Sequence, residues 1–429
     1  MRHSNLSEFR ATLVLFFLLG LGAPALGSSE AEELPNAITL QEAVVRALAN
    51  NLGIKAARID VDIEQARRQS GALPTPFRLD AEIENFGGTD SVSGVDSGET
   101  TLQVSKVLEL GNKQQYRSDL GDARVSLAQI ESAVRELELT AEVSRQFADL
   151  LRIQSQIDLV AESVEISNRM LQIVQRRVAV GRASQAEQSS AAVALLRTKL
   201  VGKRLLYMMA GARVNLSILW GSTTPDFTFV AGNIDSLPPL PAYAELKARL
   251  TDNPELRRIV SNGRILNAQR QLAQSRRRPD IELSAGVRHL AATDDMAMVV
   301  SLSMPFGSSS RAESFVSTAN MEITKSPMTR DHRQLSVEAA LYGFYQTLLS
   351  RRSELNTLRD EVIPEAERAV QFYERGFELG SNSLLELTAA QERLLTLRSE
   401  ALDAATSFHL TLIEIETLLG STRPGGALQ

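Results

Sequence analysis

The chain has 429 residues, of which 43% are hydrophobic and 23% charged, a composition typical of a folded protein. Its formal net charge of −6 argues against nucleic acid as a partner. Cysteine is absent, which excludes disulfides, thiolate metal sites, thiol nucleophiles and lipidation of a cysteine. Phosphate loops, nucleophile elbows and zinc-protease signatures are also absent, so neither an enzyme nor a bound cofactor is indicated.

Residues 1–27 have the features of a secretory signal peptide. Arg2, His3 and Arg10 make a basic start, residues 11–21 are apolar, and residues 25–27 offer a small-x-small cleavage site. A retained membrane anchor is the alternative, because residues 11–29 carry no charge; the short apolar core favours cleavage. Beyond residue 29 no uncharged stretch approaches the roughly 18 residues of a spanning helix, so the mature chain can cross a membrane only as β-strands.

The second half of the chain repeats the first at an offset near 199 residues. The matched pairs include Gly181 and Gly380, Ser184 and Ser383, Glu187 and Glu386, and Leu219 and Leu418. Such a series at one offset indicates an internal duplication. It predicts a first repeat at 28–240 and a second at 241–421, followed by a tail at 422–429.

Each repeat is predicted to contain a short helix, a longer helix, two strands and a hairpin of very long helices. The expected helices are 39–50, 54–72, 113–179 and 183–219 in the first repeat and 242–251, 254–277, 308–378 and 382–419 in the second. Heptad columns such as Leu341, Leu348 and Leu355 predict supercoiled helices, and a helix over 113–179 would be on the order of 100 Å long. Pro364 predicts a bend in one of them.

Four strands are predicted, at 77–86, 100–109, 280–290 and 295–305. Each alternates apolar with small or polar residues, as in Met296-Ala297-Met298-Val299, which is the period-two pattern of a barrel strand. The residues expected to face water in the barrel lumen are Asp80, Glu82, Glu84, Glu282 and Arg288. A soluble sheet packed on one side gives the same alternation and is the alternative.

Four strands cannot close into a barrel, for which about eight is the practical minimum. The chain is therefore expected to self-associate, with eight strands in a dimer or twelve in a trimer. The predicted fold class is mainly α, with long coiled helices and a transmembrane β-barrel portion shared between copies.

Several short motifs, repeated in the same order, point to a family. They are the Leu40-Gln41-Glu42-Ala43 opening, the Leu73-Pro74 exit into a strand, the turns at Gly181 and Gly380, and the segments 82–88 and 109–113. With these motifs the chain resembles the TolC-type outer-membrane efflux family, and the last two segments resemble its heavy-metal, CzcC-type branch. It departs from many branch members at Asn112-Lys113-Gln114, where they have Gly-Lys-Arg, and in lacking the cysteine of lipidated members.

The resemblance implies a homotrimer with a twelve-stranded barrel in outer-membrane lipid and a helical tunnel in the periplasm. It also implies docking, through a periplasmic adaptor protein, onto a resistance-nodulation-division pump of the inner membrane. The tips that would face these partners are Gly181, Arg182 and Ser184 in one hairpin and Gly380, Asn382 and Ser383 in the other. Glu187 and Glu386, six residues after the glycines, would line the periplasmic aperture and attract cations.

The same tip residues have a purely structural interpretation. Ser184-x-x-Glu187 and Ser383-x-x-Glu386 each match a capping box, and the two glycines would then end the preceding helices. Capping alone and capping combined with an aperture role both remain open at this point.

No resident metal site is predicted. The three histidines of the mature chain are not spaced for a shared ligand set, and the alternation of Met296 and Met298 favours lipid contact over soft-metal capture. The predicted function is a passive outer-membrane exit duct for heavy-metal cations. The alternatives are a duct for drugs or secreted polypeptides, and a periplasmic coiled-coil protein without a barrel.

Overall fold

The computed structural model describes residues 36–421, and the chain is mainly helical over this range. The first half contains, in order, β1 (Ala37–Thr39), α1 (Leu40–Asn50), α2 (Leu52–Gly71), β2 (Phe77–Glu84), β3 (Glu99–Leu108), α3 (Lys113–Ala179), α4 (Gln185–Ile218) and β4 (Phe229–Ala231). The predicted signal peptide at 1–27 and tail at 422–429 lie outside the described residues.

The second half follows nearly the same order. It contains α5 (Tyr243–Ala248), α6 (Pro254–Ser275), β5 (Ile281–Leu290), β6 (Asp295–Ser303), α7 (Ser308–Thr357), α8 (Ile363–Leu379) and α9 (Leu384–Leu418). The first helix of this half was predicted as one piece over 242–251, but it ends at Ala248 and continues as a 3₁₀ turn, Arg249–Asp252.

Two of the strands are shorter than the alternation predicted. β2 ends at Glu84 rather than at residue 86, because Asn85 adopts a left-handed backbone with φ of 58° that leaves the strand conformation. β6 ends at Ser303 rather than at residue 305, just before Pro305, which has no N–H to donate to a ladder.

The four long strands form one antiparallel sheet in the order β2-β3-β5-β6. The helices attached to them pack in the matching order, with α2 on α3, α3 on α6 and α6 on α7. In this single chain, therefore, β2 and β6 are the open edges of the sheet, and α2 and α7 are the outermost helices beneath it.

The register of the sheet places most of its apolar side chains on one face. Leu79, Val104, Ala285 and Val300 form one row across the four strands, and Asp80, Gln103 and Gly286 lie in the next row on the other face. The apolar side chains are exposed, with Met298 at 83% and Phe77 at 70%, whereas Ser105 and Ser284 on the polar face are only 3% exposed. A soluble one-sided sheet would bury its apolar face, so this arrangement disfavours that alternative.

The heptad columns lie in the core between the long helices. Leu341, Leu348 and Leu355, spaced by seven residues on α7, are each completely buried. Leu341 and Leu348 pack with Phe408 and Ile415 of α9, so the interior is a seam between adjacent helices, as heptad spacing requires.

A short parallel sheet holds the middle of the molecule together and was not predicted. Ile38 of β1 pairs with Val230 of β4, and both side chains are buried in a cluster with Phe147 and Leu216. The pairing fixes the start of the described chain and the connector between the two halves against α3.

The helix predicted over 308–378 is interrupted just before Pro364. A π-helical turn, Leu358–Val362, separates α7 from α8, and Pro364 lies in the first turn of α8, where its missing N–H is tolerated. The expected bend thus takes the form of a change in helix type. Pro327, which lies inside α7, produces no such break.

Candidate functional site

The polar face of the sheet carries an ion-pair network centred on Arg78. Its Nε donates to Asp80 Oδ1 at 2.9 Å, and its Nη2 contacts the carboxylate of Glu282 from β5. Asp80 also accepts a hydrogen bond from Ser105 Oγ at 2.8 Å. One arginine thus joins acids from the two halves of the chain across the intervening strand β3.

Arg288 organises a second network on the same face. Its Nη1 lies 2.7 Å from Glu99 Oε2, its Nη2 lies 3.2 Å from Glu84 Oε2, and its Nε donates to Thr101 Oγ1 at 2.9 Å. The strand register makes these contacts possible, because Arg288 lies directly opposite Thr101 and next to the pair formed by Glu84 and Glu99.

The five residues predicted to face the lumen therefore share one face, and four of them are ion-paired. Glu82 has no ion-pair partner within residues 36–421. The prediction missed two members of the face, Arg78 and Glu99. Arg78 satisfies the same alternation that selected Asp80, whereas Glu99 precedes the predicted start of its strand.

The two helical tips end in left-handed glycines. Gly181 has φ of 70° and Gly380 has φ of 82°. The backbone N–H of Arg182 donates to Arg177 O at 2.8 Å, and that of Ser381 donates to Gly376 O at 2.8 Å, which are the six-to-one bonds of a Schellman motif. Each long helix thus closes tightly before the chain reverses.

The helix starts at the two tips differ. Ser383 and Glu386 form a full capping box, in which Glu386 N donates to Ser383 Oγ at 3.3 Å and Ser383 N donates to Glu386 Oε2 at 2.8 Å. The backbone hydrogen bond from Ser383 lowers the pKa of Glu386. At the other tip Glu187 N donates to Ser184 Oγ at 3.2 Å without the return bond, so the prediction of two capping boxes was wrong for that tip.

The two tips contact one another. Arg177, near the end of α3, donates from Nη1 to Phe377 O at 2.6 Å and stacks 4.5 Å from the centre of the Phe377 ring. Beneath this contact Val174 and Leu387 are completely buried in a shared apolar cluster. At the second tip Asn382 N donates to Gly376 O at 3.1 Å, so that residue also stabilises the turn.

No cluster of three or more histidine, aspartate or glutamate side chains suited to a metal ion occurs within residues 36–421. His289 lies 3.1 Å from Asp294, and His409 Nε2 lies 2.9 Å from the carbonyl oxygen of Ile234. In the same part of the chain, none of the helices combines the length and apolar character needed to span a bilayer.

These features coincide with a known family. The family model described as "Outer membrane efflux protein" matches residues 43–222 and 246–421. The chain belongs to this family. It is an outer-membrane efflux protein, and the resemblance drawn from the sequence motifs is confirmed.

Similar proteins include the cobalt-zinc-cadmium resistance protein CzcC of Cupriavidus metallidurans, which is 26% identical over 393 residues and is matched over 90% of this chain and 91% of its own length. The nickel and cobalt resistance protein CnrC of the same organism is 24% identical, with 64% of this chain and 63% of CnrC covered. Among solved structures, CusC has a TM-score of 0.75 at 16% identity, covering 90% of this chain and 94% of CusC. VceC of Vibrio cholerae has a TM-score of 0.71 at 14% identity, covering 89% and 96%.

Proposed function

We propose that the chain is the outer-membrane duct of a tripartite efflux system that exports heavy-metal cations. The observation that carries the proposal is the sheet with an exposed apolar face, a charged polar face and two open edges, attached to rods about 100 Å long. The similar proteins named for resistance to cobalt, zinc, cadmium and nickel support heavy metals as the cargo.

Three copies would close the barrel with twelve strands. β2 and β6 each have one unpaired edge in the single chain, and unpaired edges in a membrane leave N–H and C=O groups without partners. Pairing β6 of one copy with β2 of the next satisfies both edges. It also continues the apolar belt, because every strand has most of its apolar side chains on the same face.

The outermost helices have matching surfaces that support the same closure. Every seventh residue along α2 and just beyond it is apolar and exposed: Leu52, Ile59, Ala66 and Leu73. Every seventh residue over much of α7 is likewise apolar and exposed: Met321, Met328, Leu335, Tyr342 and Leu349. On α2 this stripe lies opposite Ile54 and Ala57, which are buried toward α3. Two exposed heptad stripes on the end helices suit a coiled-coil seam between copies.

The tips are the part of the molecule farthest along the chain from the sheet and would meet a periplasmic adaptor and an inner-membrane resistance-nodulation-division pump. In a trimer Glu187 and Glu386 would supply six carboxylates near one opening. Glu386 is occupied as a cap, whereas Glu187 has no return bond to the backbone and its carboxylate is available to cations. The polar sheet face would supply a hydrated exit, on which Glu82 and Asp295 have no ion-pair partner among residues 36–421.

The duct needs no resident metal, because passage requires weak and reversible contacts. Carboxylates that are ion-paired with Arg78 and Arg288 are partly neutralised, so they would guide cations without holding them.

Sensitivity to metals tests the cargo. A strain lacking the gene should become more sensitive to zinc, cobalt, cadmium or nickel and not to common drugs, and the intact gene should restore resistance. Sensitivity confined to drugs would favour a multidrug duct, and an unchanged profile for both would contradict an efflux role.

A further inference from the structure

A basic groove lies between α6 and α7. It is a cavity of about 540 Å³. We define the basic groove by its polar lining residues, which are Lys247, Thr251, Arg257, Ser261, Arg264, Arg330, Gln334 and Glu338. Apolar side chains, among them Leu256, Val260 and Val337, line the rest of its wall.

The groove holds an excess of positive charge. Lys247 is paired with Glu338, but Arg257, Arg264 and Arg330 have no carboxylate within 4 Å among the described residues. The adjacent arginines Arg258 and Arg333 are different, since both bind Glu255. Three guanidinium groups around one cavity give it a positive potential, which favours an anion there.

Ser261 provides a second, independent indication of a ligand. It is only 1% exposed, and its hydroxyl has no hydrogen-bond partner within residues 36–421. Most buried hydroxyls of the long helices have a partner, as in Ser144, whose Oγ donates to Thr140 O at 2.9 Å; Ser217 on α4 is a second one without a partner among the described residues, but it does not line the groove. A buried polar group without a partner is unusual in a folded protein and is expected to have one.

We propose that the basic groove binds a soluble ligand with an oxyanion, a phosphate or carboxylate, joined to a small apolar group. Guanidinium groups bind both oxyanions through paired hydrogen bonds, and the Ser261 hydroxyl supplies a neutral donor. The apolar wall would take the remainder of the ligand, as in most small-molecule sites.

The position of the groove excludes the headgroup of a membrane lipid as the ligand. Arg264 precedes the end of α6, Ser275, by 11 positions, or about 16 Å of helix, and Arg330 follows the start of α7, Ser308, by 22 positions, or about 33 Å of helix. Arg257 lies farther still from the sheet. The ligand therefore has to come from the aqueous phase. The site differs from the proposed cation path, because its charge would repel a metal ion.

Calorimetric titration of the detergent-solubilised full chain tests the site. The probes are phenyl phosphate, benzoate and inorganic phosphate. Phenyl phosphate or benzoate should bind, and the better of the two identifies the oxyanion. Inorganic phosphate should bind at least about tenfold more weakly than phenyl phosphate, because it cannot use the apolar wall. Equal affinities for these two phosphates would overturn the apolar part of the site.

The decisive variant replaces the three free arginines, as Arg257→Gln, Arg264→Gln and Arg330→Gln together. Its matched control replaces three arginines outside the groove that also have no ion pair among the described residues, as Arg124→Gln, Arg169→Gln and Arg393→Gln. The groove variant should lose binding at least about tenfold while the control keeps it. Equal losses in both variants, or no binding of either organic probe to the unmodified chain, would overturn the proposal. Metal resistance is measured separately, so failure here leaves the proposed duct intact.

Discussion

Asn51 and Asn253 make the same pair of contacts in the two halves of the chain. Asn51 Nδ2 donates to Leu219 O at 2.8 Å, and Asn253 Nδ2 donates to Leu418 O at 2.7 Å. Each side-chain oxygen also accepts from the backbone three residues later, Ile54 N at 3.1 Å and Leu256 N at 3.0 Å. In each half, one asparagine thus caps the start of the helix that leads to the sheet. The same side chain also binds the end of the helical hairpin that returns from the tip.

Replacing Asn253 by alanine should destabilise the chain by about 2 kcal/mol, because a buried acceptor and a helix-start donor both lose their partner. Asn253 is only 2% exposed. Chemical denaturation measures the loss. The matched control is Asn50→Ala, which removes only an exposed bond to Arg46 O and should cost less than about 0.5 kcal/mol. Equal losses would contradict the bridging role.

The two aperture candidates should behave differently. Glu187→Gln is expected to lower the cation preference of the channel without changing its melting temperature, since the Glu187 carboxylate does not cap its helix. Glu386→Gln should lower both the cation preference and the melting temperature, because the ionised carboxylate of Glu386 accepts a hydrogen bond from Ser383 N. Reversal potentials in planar bilayers measure selectivity. If the double variant kept its ion selectivity, neither residue would line the aperture.

The depressed pKa of Glu386 gives this cap a pH dependence of definite sign. Its stabilising effect is present above the ordinary pKa of glutamate and is lost as the pH falls through the lower, folded-state pKa. Protection factors at the start of α9, which correct for the intrinsic pH dependence of amide exchange, should therefore fall at acidic pH in the unmodified chain, whereas Glu386→Gln should show low protection at neutral pH already and no such fall.

Glu416, on α9, is predicted to destabilise the fold at neutral pH. Burial raises the pKa of Glu416 to about 7, against an opposing attraction from Arg249. Because the folded state holds this proton more tightly than the unfolded state, stability falls as pH rises from about 4.5 to about 7. Glu416→Gln should flatten this decline and add about 2 kcal/mol at pH 8, allowing for the remaining solvent access. An unchanged pH profile of the melting temperature in the variant would contradict the shift.

The exposed stripe on α2 should be needed for assembly. Ile59→Glu places a charge in the proposed seam, where burial without a partner is unfavourable, and should shift the protein from trimer toward monomer by at least about tenfold. Gln65→Glu introduces the same charge on the same helix away from the stripe and should leave assembly unchanged. Analytical ultracentrifugation in detergent separates the two outcomes; equal trimer content in both variants would mean that α2 does not form the seam.

Much of the fold could be predicted because its elements have strong local periodicity. Heptads such as Leu341, Leu348 and Leu355 specify a buried helix seam whatever the surrounding chain does, and strict alternation specifies the two faces of the sheet. The glycines at 181 and 380 similarly predicted left-handed turns from their own conformational freedom.

The features that were missed depend on residues far apart in the chain. β1 and β4 are three residues each and meet across about 190 residues, so no local pattern reveals them. The pairing of Arg78 with Glu282 needs the register across β3, which alternation alone does not fix. The single capping bond at Ser184 shows the same limit, because the motif is identical at both tips while the side-chain conformation of its glutamate differs.

The mass of the assembled protein tests the central claim most directly. The chain purified from the outer-membrane fraction in mild detergent and measured by native mass spectrometry should have three times the mass of one mature chain, because three sheets are needed for twelve strands. A single-chain mass, recovered from the soluble periplasmic extract, would contradict the shared barrel and the duct built on it.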